Sequence, residues 1–136
     1  MQMSPYLSFN GECEVAFRFY EQSLGGRLGP IFRYAGTSLA DQVPADWQDK
    51  VMHGSVKVGE QVLMGADVVP ARYEAPKGFS LSLQLTSTAE AERIFRELSR
   101  DGSIVQPLEQ TFWAARFGMV VDRFGVPWLI NCEGFD

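Results

Sequence analysis

Residues 79–102 read FSLSLQLTSTAEAERIFRELSRDG, and they decide how the rest of the chain is parsed. Residues 79–85 alternate, with Leu81, Leu83 and Leu85 on one face, which predicts a half-buried strand. Ser87-Thr88-Ala89-Glu90 follows as a capping box, in which a hydroxyl and a carboxylate satisfy N–H groups that a first helical turn leaves unpaired. Ala91, Ile94, Phe95 and Leu98 recur at helical spacing as one apolar stripe. Arg100 falls in the last turn, and Gly102 is expected to stop the helix.

The same grammar appears at the start of the chain. Pro5-Tyr6-Leu7-Ser8-Phe9 reads as a short strand, and Asn10 as the helix N-cap. Glu12 and Glu14 sit in the first turn, where negative charge suits the helix dipole. Cys13, Ala16, Phe17, Tyr20 and Leu24 form the stripe, and Gly25-Gly26 ends it. The expected caps lie 77 positions apart and the stops 76, so strand, cap, stripe and stop form an internal repeat. Further strands follow in each half, at 54–58 and 61–66 around Gly59-Glu60, and at 118–122 and 126–132 around Phe124-Gly125. Gly59 and Gly125 differ by only 66, which assigns about ten extra residues to the first half. Residues 37–49 fit this insertion, being polar, with Pro44 and an exposed-looking Trp47. The predicted fold is α+β, with two β-α-β-β-β modules at about 4–68 and 79–136 joined by a linker at 69–78. Together they would form a half-open, barrel-like curled sheet with helices outside and a cleft inside, a natural small-molecule site.

Composition limits the partners. The chain has 136 residues, enough for a core without disulfides or a structural metal. Twelve scattered basic residues against seventeen acidic ones argue against nucleic acid and against an anionic membrane surface. Cys13 and Cys132 belong to no CxxC pair and read as buried thiols. The first five residues do not read as a signal peptide, and no stretch is apolar enough to span a bilayer, so a cytoplasmic location is expected. No glycine-rich phosphate loop, Ser-His-Asp set or Cys-His set is present.

The run from Thr111 through Phe112-Trp113-Ala114-Ala115-Arg116-Phe117-Gly118 and Asp122-Arg123-Phe124-Gly125 to Asn131 is the most distinctive stretch. With Pro5-Tyr6-Leu7-Ser8-Phe9 and Phe19-Tyr20 before Gly25-Gly26, it resembles the PhnB-like branch of the glyoxalase/bleomycin-resistance/extradiol-dioxygenase superfamily, the vicinal oxygen chelate fold. The resemblance covers nearly the whole chain. It implies a small-molecule cleft and a homodimer. Metal-using members place His, Gln or Glu ligands on the first strand of each module and on the last strand. Here those positions fall on Pro5, Ser80 and Leu129, none a usual ligand. No metal or other cofactor is therefore expected. The branch often carries a demethylubiquinone methyltransferase label, but no glycine-rich loop for a methyl donor accompanies it.

The expected function is metal-free binding of an apolar or aromatic small molecule. The alternatives are a divalent-metal lyase, isomerase or dioxygenase with a non-standard site including His53, drawing on Glu133 and an Asp, or a dimeric scaffold without ligand. His53, the single histidine, reads either as a pocket acid or base or as a hydrogen-bonded sheet histidine. Trp113, Arg116 and Phe117 read as a clamp for a planar or anionic ligand, or else as a barrel plug with Arg116 paired to Asp122 or Glu109. Ser80 and Asn131 complete the candidate ligand residues. Asn131 is expected inside with Leu129, and Trp128 in the core under a helix. Asp122-Arg123-Phe124-Gly125 reads as a turn.

Overall fold

Both halves use one plan, a sheet with a single helix on one face. The computed structural model describes residues 1–134, and its contacts divide the chain into units Met1–Ala75 and Pro76–Asp136. The first unit runs β1 (Tyr6–Phe9), α1 (Cys13–Leu24), β2 (Arg27–Leu28), β3 (Phe32–Arg33), β4 (Val51–Val58) and β5 (Gln61–Asp67). The second runs β6 (Leu81–Leu85), α2 (Thr88–Ser99), β7 (Ser103–Glu109), β8 (Arg116–Val121) and β9 (Pro127–Cys132). Strand order is β1-β5-β4-β2 in one sheet, with β3 also on β4, and β6-β9-β8-β7 in the other. In each unit the first and last strands pair in parallel and the other pairs are antiparallel. The α+β class and the repeat therefore hold. The second strand of the first unit is split into β2 and β3 around Pro30, which has no N–H to give the ladder.

The stripes pack as their spacing predicts, with one exception. Ala91, Ile94, Phe95 and Leu98 are all buried, as are Cys13, Ala16, Phe17 and Tyr20, but Ser23 takes the buried place expected of Leu24. Phe17 meets Phe9 edge to face at 5.5 Å. Gly65 lets that ring down onto β5, because a Cβ there would lie 2.7 Å from the Leu7 carbonyl and 3.0 Å from Phe17.

Cap chemistry differs between the repeats. Ser87 accepts from the Glu90 N–H, as the capping box requires. Asn10 does not cap α1, whose first residue is preceded by Glu12 with no side-chain bond. Instead the buried Asp67, at the end of β5, accepts from the N–H groups of Cys13 at 2.8 Å and Val51 at 2.9 Å. The end of α2 also departs from expectation. Asp101 takes the left-handed conformation (φ 58°) that Gly102 was expected to supply. Gly102 is needed for close approach, since a Cβ there would run into the Val121 carbonyl.

The insertion, 37–49, folds as two short 3-10 turns, Ala40–Gln42 and Ala45–Trp47, tied by Gln48 donating to the Ala40 carbonyl. Trp47 is half-buried rather than exposed. It lies against Gly11 and 6.0 Å from the Lys50 ammonium, which donates to the Gly11 carbonyl. Cys13 and Cys132 are free and buried. No helix among the described residues is long and apolar enough to cross a membrane.

Replacing Asp67 by Ala should cost at least about 2 kcal/mol in urea unfolding, since two buried N–H groups lose their acceptor at about 1–3 kcal/mol each. Burial holds the Asp67 carboxyl above the ordinary aspartate range, against the lowering effect of the Val51, Cys13 and Gly11 N–H groups. The folded chain thus binds this proton more tightly than the unfolded chain. Its stability contribution is complete below the unfolded aspartate value of about 4 and declines as pH rises through the raised folded value. Wild-type unfolding curves at stepped pH should show that decline, and Asp67→Ala should lack it.

Candidate functional site

Each sheet has one face under its helix and one open face. In the second unit, Gly118 marks the helix side, because a Cβ there would lie 2.9 Å from Phe95 of α2. Its register partner Ile130 shares that side, with Trp128 and Cys132 by alternation. All three are buried, Trp128 at 2% exposure, with its indole N–H donating to Asp122. Asp122 also accepts from the Phe124 and Val126 N–H groups and so builds the turn read from the sequence. The open face then carries Phe117, Met119, Leu129 and Asn131, with Ser82 and Gln84 from β6 in register with Leu129 and Asn131. No charged side chain stands among these six.

Three rings lead onto this face. Thr111 and Ala114 close a tight loop through a 2.9 Å backbone bond and a 3.1 Å bond from the Ala114 N–H to the threonine hydroxyl. That loop presents Phe112, 93% exposed, and Trp113, 47% exposed. Phe112 and Trp113 meet edge to face at 4.8 Å, and Trp113 meets Phe117 at 5.2 Å. Phe117 stands directly opposite Asn131 in the ladder.

Asn131 is 7% exposed. Its amide donates to the Gln84 carbonyl oxygen at 2.9 Å, and Gln84 in turn donates to the Ser82 hydroxyl at 2.7 Å. The Asn131 Oδ1 is buried with no hydrogen-bond partner. Reversing every donor in this chain would leave Nδ2 in the same position, so one buried amide atom is orphaned either way. Buried polar atoms are rarely left so, because the lost hydration costs about 1–3 kcal/mol.

Arg116 falls outside this group. It precedes Phe117 and so projects to the helix side, where its Nε donates to Glu92 of α2 at 3.0 Å and a terminal nitrogen donates to the Ala115 carbonyl. Its partner is neither Asp122 nor Glu109. Ser80 lies just before β6, half-buried. Sequence reading placed Asn131 and Phe117 separately. Their pairing, and the part played by Ser82 and Gln84, follow from strand register.

In the first unit, Gly54 faces Phe17 of α1, so His53 occupies the open face of β4. The Tyr6 hydroxyl lies 3.1 Å from its Nδ1. Phe32 pairs with it across β3 and β4.

The residues present do not fit a divalent metal. Pro5 precedes β1 and Leu129 is apolar, so neither offers a side-chain donor. Of the open-face donors on the strands that carry ligands in metal-using relatives, Gln84 alone is of the His, Gln or Glu kind, and both ends of its amide are engaged, by Asn131 and by Ser82. Among the described residues no three His, Cys, Asp or Glu side chains cluster to hold one. Glu133 is exposed beyond β9, while Asp67 and Asp122 are committed to backbone N–H groups.

Residues 2–130 match the family model described as Glyoxalase/Bleomycin resistance protein/Dioxygenase superfamily. The chain belongs to this superfamily. It is 36% identical over 140 residues to protein YjdN of Escherichia coli K12, covering 96% of this chain and 95% of YjdN. The crystal structure of protein PA1353 from Pseudomonas aeruginosa superposes with a TM-score of 0.89 at 49% identity, covering 99% of both chains. A Bacillus cereus PhnB protein, described as a putative 3-demethylubiquinone-9 3-methyltransferase, superposes at 0.83 with 24% identity, over 97% of this chain and 99% of the other. That likeness speaks to the fold. With YjdN it agrees with the PhnB-like resemblance carried by residues 111–131.

Changing Asn131 to Leu should leave stability unchanged or raise it by up to about 1 kcal/mol in urea unfolding, because an orphaned buried amide gives way to an apolar side chain of similar size. A loss above about 2 kcal/mol would show that the amide is fully satisfied in the folded protein.

Proposed function

We propose that this superfamily member binds a planar, apolar or aromatic small molecule without a metal, using the open face of the second unit. The observation that carries the reading is the orphaned amide atom of Asn131, directly opposite Phe117 and led to by Trp113 and Phe112. Aromatic rings supply contact area at small entropic cost, and a lone buried polar atom selects a ligand with one matching hydrogen-bonding group. None of the six open-face residues on β6, β8 and β9 is charged, and the carboxylate in register with them is the exposed Glu109 of β7, opposite Phe117.

Two measurements test the reading. Protein purified without chelators and incubated with Mn, Fe, Ni or Zn should retain well under one equivalent by plasma mass spectrometry, and near-stoichiometric retention of any of them would overturn the metal-free part. Thermal-shift and tryptophan-quenching titrations with indole, quinoline and 1-naphthamide should show stabilisation by at least the amide-bearing probe. Trp113→Ala, Phe117→Ala and Asn131→Leu should each weaken that binding about tenfold, roughly 1.4 kcal/mol. No stabilisation at millimolar concentration, or unchanged affinity in all three variants, would remove this face from consideration.

A further inference from the structure

The open face of the first unit carries chemistry that the second unit's site does not use. β4 places His53 between two rings from other strands. Tyr6 of β1 stacks on it at 5.7 Å with 29° between planes, and Phe32 of β3 stands 6.3 Å away at 33°. Tyr6 and Phe32 remain 53% and 52% exposed. Large aromatic side chains held open beside a half-buried imidazole form a surface suited to receive another flat group.

The hydrogen bond between Tyr6 and His53 has a direction that can be argued. Burial, then the neighbouring Cys13 and Tyr34, push the Tyr6 phenol above its ordinary value, so it keeps its proton through the neutral range. A phenol is a good donor and the bare nitrogen of a neutral imidazole a good acceptor, so the hydroxyl donates to Nδ1 and the ring proton resides on Nε2. Among the described residues no other hydrogen bond to the His53 ring is formed. The remaining open-face residues of β1, β4 and β5 are Ser8, Ser55, Lys57, Val62, Met64 and Ala66. No carboxylate stands on the open face of these three strands. Asp67 is turned to backbone N–H groups at the start of α1 and β4, and Arg33 of β3 to Glu14 and the Asp49 carbonyl. Lys57 supplies the one formal charge on these strands' open face, and it is positive.

We propose that Tyr6, His53 and Phe32 form a subsite for an aryl carboxylate, with His53 Nε2–H donating to a carboxylate oxygen and the ligand's ring lying against Tyr6 or Phe32. Tyr6 is a positioning residue here, setting the tautomer through Nδ1 while its ring forms part of the wall.

The chain has a single histidine, so a long-range 1H–15N spectrum of labelled protein reads this imidazole without overlap. The expected wild-type spectrum shows the Nε2-protonated form, and titration with 1-naphthoate moves the Nε2 signal. His53→Ala should weaken 1-naphthoate binding about tenfold. Tyr6→Phe keeps the ring and removes an exposed hydroxyl, so the fold survives. It should mix the tautomers and weaken binding about threefold. Acetate, which has the carboxylate without the ring, should not bind measurably. An Nδ1-protonated wild type, imidazole signals unmoved by millimolar 1-naphthoate, acetate binding as well as naphthoate, or undiminished affinity in His53→Ala would each overturn the subsite.

Discussion

The carboxylate of Asp67 holds the first unit together at the point where its layers meet. One oxygen takes the N–H that opens α1 and the other takes the N–H that opens β4, while the residue itself ends β5. Its own carbonyl accepts from the Tyr34 hydroxyl at 2.7 Å, which anchors the chain just before the insertion. A helix start, two strands and a loop therefore share one buried side chain. Burial raises the free energy of the charged form, and the converging N–H groups oppose that effect. The start of β4 is thereby fixed, and His53 follows only two residues later.

The second unit solves the same problem locally. Ser87 caps α2 from its own sequence neighbourhood, and the residue in the place of Asp67, paired with the last residue of the unit's first strand, is the buried Cys132. The buried carboxylate of that unit is Asp122, which organises the turn between β8 and β9 and fixes the Trp128 indole. One topology thus supports two distributions of polar anchors. Each anchor fixes a strand whose open face carries candidate binding groups, β4 in one unit and β9 in the other.

This difference explains what was legible in the sequence. Ser87 and Glu90 lie three residues apart, and Asp122 and Gly125 likewise, so their roles could be read directly. Asp67 acts on residues 16 and 54 positions away, and short-range grammar assigned its task to Asn10 instead. Helical stripes were legible because burial has a 3.6-residue period, and Leu24 failed only at the last turn, where Ser23 is buried instead. The binding face was half legible. Alternation put Asn131 opposite Trp128, but only register between β8 and β9 could put Phe117 beside it. The same alternation sends Arg116 to the helix side, where Glu92 waits on α2, a partner that no spacing rule would have chosen.

The chemistry of the two open faces follows from what the anchors remove. Carboxylates are the cheapest ligands for a hard cation, and both buried ones here are saturated by backbone or indole N–H groups. The second unit is left with hydroxyls and amides that satisfy one another in a line from Asn131 through Gln84 to Ser82. A line of donors has two ends, and the Ser82 end is exposed while the Asn131 end is buried. The unsatisfied group must then fall at the buried end, beside Phe117. One such hydrogen bond contributes about 0.5–1.5 kcal/mol, and a ring contact a similar amount beyond its buried area. On the reading proposed above, selectivity on this face would rest mainly on shape and one polar contact, an arrangement suited to holding flat molecules.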